Sequence, residues 1–456
     1  TMVAGCLLAL IFVSACGPAA QTVEVTRIDP QTVVATRLVP VTTTPSPSST
    51  PLSSRTSTPT LTFSSSSVPE WLRMVYIIEG NLYLQDGSYP SKILTQGGDD
   101  LSPVLSKDGE KILFFRGKMP RQLYVIDVDG NHEKVITSST LLMDLGYNSF
   151  TEPGDLELVA GTHLVLFNTR QFDANKDNQT GSTGAVTKYN QDLLLADVDT
   201  GQVKQLLGPG KAGSFQVSPD GAKVAFQKKG RVDVIDINGK PIRPGLITYT
   251  PTRPYALAVY IFWTADSAAL IVALPTNIQY DMSGPATYSI WRYPVDGSPR
   301  QAIPLNPPPM GDDAINVSPD GNWVLYNHFS EEAYGALYLG DLRSHQTRQY
   351  APFGSISENK IWSVNSDHFV YGGLGNQLTL GHIQGEPALV NNGKKATFLG
   401  WGDNLHYLYF ANGTVLMEHI GGNTIPVFEQ LPEGLFPNNP DRFSFIFLET
   451  GDRNLP

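Results

Sequence analysis

Cysteine is nearly absent: the 456 residues contain two, Cys6 and Cys16, both close to the start. Disulfides, zinc-thiolate sites and cysteine nucleophiles are thereby excluded from the rest of the chain. Charge is scarce as well, at 16% of residues, and basic charge is the scarcer sign, with 32 Lys+Arg against 43 Asp+Glu and a formal net charge of −11. From residue 70 onward the balance is 29 against 41, or −12. Such a chain disfavours nucleic acid and other anionic partners, whose charge calls for excess Lys and Arg. The eight His residues are scattered, with no His-Glu-x-x-His. No Gly-x-Ser-x-Gly elbow and no Walker-type loop occurs. No catalytic residue emerges from these tests, and the expectation is a protein that is not an enzyme. What is plentiful is Gly (42) and Pro (34), a turn-rich balance that argues against a helical bundle.

A single long apolar run occupies residues 2–15 (MVAGCLLALIFVSA). It is shorter than the roughly 20 residues that span a hydrocarbon core, so it reads as an export signal. It ends in Val13-Ser14-Ala15-Cys16-Gly17, which resembles the bacterial lipobox. That resemblance implies cleavage after Ala15, a diacylglyceryl thioether on Cys16, and attachment to a membrane outside the cytoplasm, at the cell surface or in the periplasm. Multiple acyl chains hold a protein to its membrane where one holds only marginally.

Residues 16–69 follow as a stalk. Between positions 17 and 69, 30 of 53 residues are Ser, Thr or Pro. Too little apolar surface is present there to offset the entropy of ordering, so the segment is expected to be disordered and extended. A flexible chain of that length spans roughly 40 Å.

From residue 70 to 456 the short period is two, and a larger period overlies it. Each unit has a turn of the type Ser106-Lys-Asp-Gly109, Ser218-Pro-Asp-Gly221 or Ser318-Pro-Asp-Gly321. A strand such as Ile112-Leu-Phe-Phe115 comes next, then one running into a second turn, as in Leu123-Tyr-Val-Ile-Asp-Val-Asp-Gly130. Weaker turns stand at Trp263-Thr-Ala-Asp, Trp362-Ser-Val-Asn and Trp401-Gly-Asp-Asn, with a degenerate one expected at Thr151 to Asp155. Third strands near Leu82, Leu123, Leu193, Val232, Ile290, Leu337, Leu378 and Val415 give eight units. The spacings of 46 and 54 between Asp220, Asp266 and Asp320 suit four-stranded units. Pro presets φ, Asp bonds its own downstream backbone, and Gly accepts positive φ, so these turns specify hairpins. A four-stranded sheet cannot bury both faces alone, so the units must pack around an axis. The reading is an all-β chain, a β-propeller of four-stranded blades, eight in number with seven as the alternative. The first unit lacks an opening strand and Arg442-Phe-Ser-Phe-Ile-Phe-Leu lacks a blade; pairing the two would seal the ring.

These motifs resemble the TolB-like, WD-like propeller repeat of bacterial envelope proteins. The resemblance implies a propeller acting through protein or ligand contacts. The expected role is therefore a lipid-anchored, extracytoplasmic binding or scaffolding module with an envelope protein or glycan as partner. The alternatives are a propeller-fold glycan hydrolase or lyase, which needs acids at the axial opening, and an envelope sensor subunit.

Connections between second and third strands are long at residues 169–190, 274–288 and 327–335. As the same loop of different blades they share one face, and such insertions commonly carry binding. Asp173, Tyr189, Tyr280, Tyr288, Phe329, Glu331 and Tyr334 are the candidate contacts there. Glu331-Glu332 and Asp281 are loop acids of the kind a glycosidase pair uses. Within the longest loop, Asp173, Asn175, Asp177 and Gln179 place oxygen ligands at alternate positions, a pattern that suits calcium. Gly is absent at the sixth position of that pattern and a bidentate Glu at the twelfth.

Overall fold

The computed structural model describes residues 68–172, 186–249, 259–276, 287–310, 315–329, 335–356, 360–373, 375, 377–428, 431–435 and 442–448, all within one compact unit spanning residues 59–456. Cys16, the apolar run and the stalk up to residue 67 lie outside the described residues; Val68, assigned to the stalk from sequence, is instead buried in the apolar layer between blades 8 and 1. No helix among the described residues is long and apolar enough to cross a membrane.

Eight antiparallel sheets form a ring, a β-propeller with the blade count the repeat implied. Blades 2, 4, 5, 6 and 8 are simple four-stranded meanders, for instance Lys223–Lys228 between Ser214–Val217 and Arg231–Asp236, with Pro241–Thr248 outermost. Blade 7 has three full strands, and the bridges Ser355 to Gly372 and Trp362 to Phe369 stand in for its innermost one. Blade 3 gains a fifth strand, Val186–Tyr189, which pairs with Leu164–Phe172 beyond the end of its third strand.

Blade 1 is built from both ends of the unit. Leu72–Ile78, Asn81–Asp86 and Lys92–Ile93 supply its outer three strands, and Phe443–Phe447 pairs antiparallel with Leu72–Ile78 as the innermost. The orphan strand thus fills the vacant edge, as its sequence required.

The second strands carry consecutive apolar residues at their centres, with polar residues at their ends, because both sheet faces are covered there. In Lys111–Arg116, Ile112 and Phe114 pack toward blade 1 while Leu113 and Phe115 pack toward blade 3. The same division repeats around the ring, giving eight apolar layers, one between each adjacent pair of blades. The layer joining blades 8 and 1 contains Leu408 and Met417 from one side and Met74, Tyr76 and Phe443 from the other.

The turn chemistry is the one the motif dictates. Ser218 Oγ donates to Asp220 Oδ1 at 2.5 Å and accepts the Lys223 N–H at 2.9 Å, while Asp220 Oδ1 accepts the Ala222 N–H at 3.0 Å. The weaker copies at Thr264-Asp266 and Ser363-Asn365 repeat the pattern. Two Trp residues at the weaker turns bind neighbouring blades: the indole N–H of Trp263, before Thr264, donates to Gln216 O at 3.2 Å, and that of Trp401, before Gly402-Asp403, to Ile361 O at 2.8 Å. One expectation is corrected. Thr151 to Asp155 is no turn but part of the innermost strand Thr151–Leu158; the turn lies farther on, where Thr162 caps Val159 O and the Leu164 N–H. A Thr hydroxyl does there what Ser and Asp do elsewhere, which left the motif without its signature.

Candidate functional site

In every meandering blade the second-to-third-strand loops and the blade-to-blade crossovers share one face of the ring, and the motif turns share the other. On the loop face, the base of the longest insertion is tied into a buried polar network. The Asp192 carboxylate, fully enclosed, accepts the Thr169 N–H at 2.8 Å and the Thr169 hydroxyl at 2.6 Å. Asn190 Nδ2 donates to Thr169 Oγ1 at 2.7 Å, and Gln171 Nε2 donates to Asn190 Oδ1 at 2.7 Å. Nearby, the buried Glu152 receives Arg170 Nε–H at 2.9 Å and the Arg121 backbone N–H at 2.8 Å, joining blade 3 to the corresponding loop of blade 2. The chain ends entering this loop are therefore fixed by scaffold.

Of the expected contacts on this face, Tyr189 is 44% exposed on the added strand of blade 3. Phe329 is half-buried at the end of its loop. Tyr288 is placed differently: it is 2% exposed, within the apolar layer between blades 5 and 6 and edge-on to Tyr260 at 5.7 Å. Its strand, Tyr288–Pro294, begins earlier than the loop reading assumed, so the ring points into the core. Asp173, Asn175, Asp177, Gln179, Tyr280, Asp281, Glu331, Glu332 and Tyr334 lie outside the described residues. The sequence does not announce the helix Ser139–Asp144, capped by Ser138 at the crossover into blade 3; it adds exposed Met143 to the same face, and the segment after it adds exposed Phe150.

On the turn face, charged groups from separate blades meet at the axis. Glu157 lies near the end of blade 3's innermost strand. Lys107 lies in the turn that follows the innermost strand of blade 2, and Lys360 lies beside the innermost bridge of blade 7, across the ring from blade 3. Burial pushes the Glu157 carboxyl up to about 7, against the opposing pull of the Val217 N–H, Lys360 and Lys107. Lys360 is exposed as a residue, yet its ammonium is desolvated by what surrounds it; this and the charge of Lys107 pull its pKa down, with Glu157 acting in the opposite direction. An acid that titrates near neutrality beside two amines can hold or transfer a proton on this face.

This geometry yields a testable consequence. A carboxyl with a raised folded-state pKa costs stability as pH climbs from the ordinary carboxylate range through about 7. Glu157→Gln removes that cost. It is expected to match the wild type in thermal midpoint near pH 4 and to exceed it by about 2 °C at pH 8, allowing for solvent screening of this half-buried group. Melting curves across that pH range check it; parallel curves would reject the buried-acid assignment.

A second charged group lies outside the axis, between blades 2 and 3. His163 donates from Nε2 to Asp108 Oδ2 at 2.6 Å and from Nδ1 to Asp199 Oδ2 at 2.7 Å. The two carboxylates, Asp108 first, raise the His163 pKa. Despite the cost of burial, hydrogen bonds from the Glu110 N–H, Ser106 and His163 hold Asp108 down at about 2. Asp108, Glu110 and His163 each offer one donor atom within 4.8 Å of the others. A cation would have to displace the His163 proton and break its bond to Asp108, so the cluster as built is an ionic clamp between two blades. His368 faces His382 and His406 faces His419 across hairpins, at ring separations of 4.5 and 4.8 Å, pairs that strand register creates and linear spacing conceals.

No known family profile and no curated protein matches the chain. Solved structures do. Oligogalacturonate lyase from Vibrio parahaemolyticus is 13% identical at a TM-score of 0.43, covering 73% of this chain and 96% of that one. TolB from Acinetobacter baumannii is 16% identical at 0.33, covering 72% and 67%. The β-propeller domain of the Trilobed protease from Pyrococcus furiosus is 13% identical at 0.41, covering 72% and 98%. Likeness at this level says nothing of what this chain binds or catalyses.

Proposed function

We propose that the protein is a non-catalytic binding or scaffolding module of the cell envelope, held outside the cytoplasm by lipid on Cys16 and displayed on its stalk. Its partner is an envelope protein or a glycan, engaged by the loop face. The observation that carries this reading is the buried Asp192–Thr169–Asn190 network, which fixes the base of the longest insertion to the blade. A rigid scaffold presenting a long, polar, aromatic-flanked loop is the arrangement in which loops serve recognition. Exposed Tyr189 stands directly at its edge.

A second reading has one specific observation in its favour. Glu157, held at about 7 on the axis, has the proton affinity of a general acid or base at neutral pH. It supports a propeller enzyme acting on glycans.

One experiment separates the two. The full chain, cross-linked to partners in intact membranes and solubilised in detergent, is compared with a variant lacking residues 173–185 and with Glu157→Gln, alongside a glycan cleavage screen. The binding reading expects cross-links lost on loop deletion and kept in Glu157→Gln, without glycan cleavage. Cleavage abolished by Glu157→Gln establishes the enzyme reading instead. Cys16→Ser is expected to move the protein from the membrane to the soluble fraction; unchanged fractionation refutes the anchor.

A further inference from the structure

On the outer wall of the ring, remote from the axis, blades 4 and 5 leave a recess of about 390 Å³. Blade 4 borders it with Arg243, Gly245 and Leu246 of its outermost strand, and blade 5 with Tyr293, Gly297 and Arg300.

Both arginines are held in place, with donors to spare. The Arg300 guanidinium lies 4.4 Å from the Trp291 ring centroid and 5.7 Å from that of Tyr293, and its Nη1–H donates to Tyr293 Oη at 2.8 Å. Its Nε and Nη2 hydrogens have no acceptor among the described residues. Arg243 crosses from blade 4 to blade 5, donating from Nε to Val295 O at 2.7 Å and from Nη2 to Asp296 O, which leaves Nη1. Gly297 makes that crossing feasible: a Cβ there would fall 2.0 Å from Arg243 Nη2. Among the described residues neither arginine forms an ion pair. No carboxylate is among the residues lining the recess; the Asp296 carboxylate beside Gly297 feels the charge of Arg243 but forms no ion pair with it among the described residues, so the spare donors of both guanidiniums are open to an anion from outside.

We propose that this recess binds a phosphate group, with Arg243 and Arg300 as its clamps. The spare donors come from two guanidiniums rooted in different blades, Arg243 reaching over from blade 4 and Arg300 from blade 5 itself. A carboxylate's two coplanar oxygens are satisfied by one guanidinium, whereas the oxygens of a tetrahedral phosphate reach both. The recess exceeds a bare phosphate in size, so the group arrives on a carrier, either a soluble phosphate ester or an anionic lipid headgroup. Arg300 is pre-stacked on its aromatic support, so binding needs little ordering of that side chain.

Calorimetric titration of the full chain tests the site, with inorganic phosphate, glycerol 3-phosphate and acetate as probes. Phosphate is expected to bind and acetate to bind more weakly. Arg300→Gln and Arg243→Gln should each weaken phosphate about tenfold or more. Arg300→Lys, which keeps charge and loses the fork, should fall between, and Gly297→Ala should weaken binding by driving Arg243 out while retaining both arginines. Vesicles of phosphatidylcholine with phosphatidylglycerol distinguish the carriers: flotation that is lost in Arg300→Gln and competed by phosphate identifies a headgroup. Binding of glycerol 3-phosphate without such flotation identifies a soluble ester. No phosphate binding by the wild type up to about 20 mM overturns the proposal whatever the variants do. So does phosphate affinity unchanged from the wild type in both Gln variants.

Discussion

Removing residues 442–448 is expected to lower the thermal midpoint by more than about 10 °C, or to abolish a single cooperative transition altogether. The strand Phe443–Phe447 is the innermost member of blade 1 and pairs along Leu72–Ile78, from Phe443 opposite Tyr76 to Phe447 opposite Leu72. Its side chains serve both neighbours. Phe445 and Phe447 lie over Gly400 and Gly402 of blade 8, while Ile446 and Leu448 cover Gly109 of blade 2. Phe443 is buried, and each such side chain contributes about 1.5–3 kcal/mol by leaving water. The loss compares with a total stability of about 5–15 kcal/mol. The cost is also topological, because opening the ring exposes a sheet edge and loosens the layer between blades 8 and 1. Calorimetry and limited proteolysis of the truncated chain measure it; an unchanged, sharp transition would show that closure contributes nothing. Gly402→Val isolates the packing part. A Cβ at that position would sit 2.2 Å from the Phe447 ring, in backbone that any residue tolerates, so a loss of about 1–3 kcal/mol is expected with the strand pairing intact.

Asp192→Ala is expected to cost about 2–4 kcal/mol, read from the shift in denaturant midpoint. The carboxylate takes two hydrogen bonds from Thr169 in an enclosed position, and burial together with this carboxylate raises the pKa of the neighbouring Tyr147. Truncation leaves the Thr169 N–H without its acceptor and frees the base of the loop. Asp192→Asn keeps one acceptor oxygen, and since Thr169 Oγ1 already accepts from Asn190, it has room to accept from the new amide as well. The Asn variant should therefore retain most of the stability. Equal losses in the two variants would mean that charge, rather than the Thr169 bonds, is what the position requires. Under the binding reading, Asp192→Ala also weakens partner cross-linking in proportion to its disturbance of the loop base.

These outcomes bear differently on what was legible beforehand. The eight third strands, the Ser-Pro-Asp-Gly hairpins and the closing strand were all readable, because each rests on neighbours within a few positions or on a pairing that only one vacant edge allows. The turn of blade 3 is hidden in the sequence because Thr162 performs the capping with no Asp to announce it. Tyr288 presents itself in the sequence as a candidate contact because an aromatic beside a long loop looks alike whether it faces a partner or the next blade.

Local chemistry thus determined the repeat, the blade number and the closure, since turn geometry and two-sided strand burial are properties of short segments. Only the tertiary structure decided which charges meet. Glu157 and Lys360 approach across the hub, His163 bridges Asp108 and Asp199, and Arg243 reaches over Gly297. Each of these groups joins different blades, and the separation between blades is set by ring curvature and side-chain packing, quantities that no single segment carries.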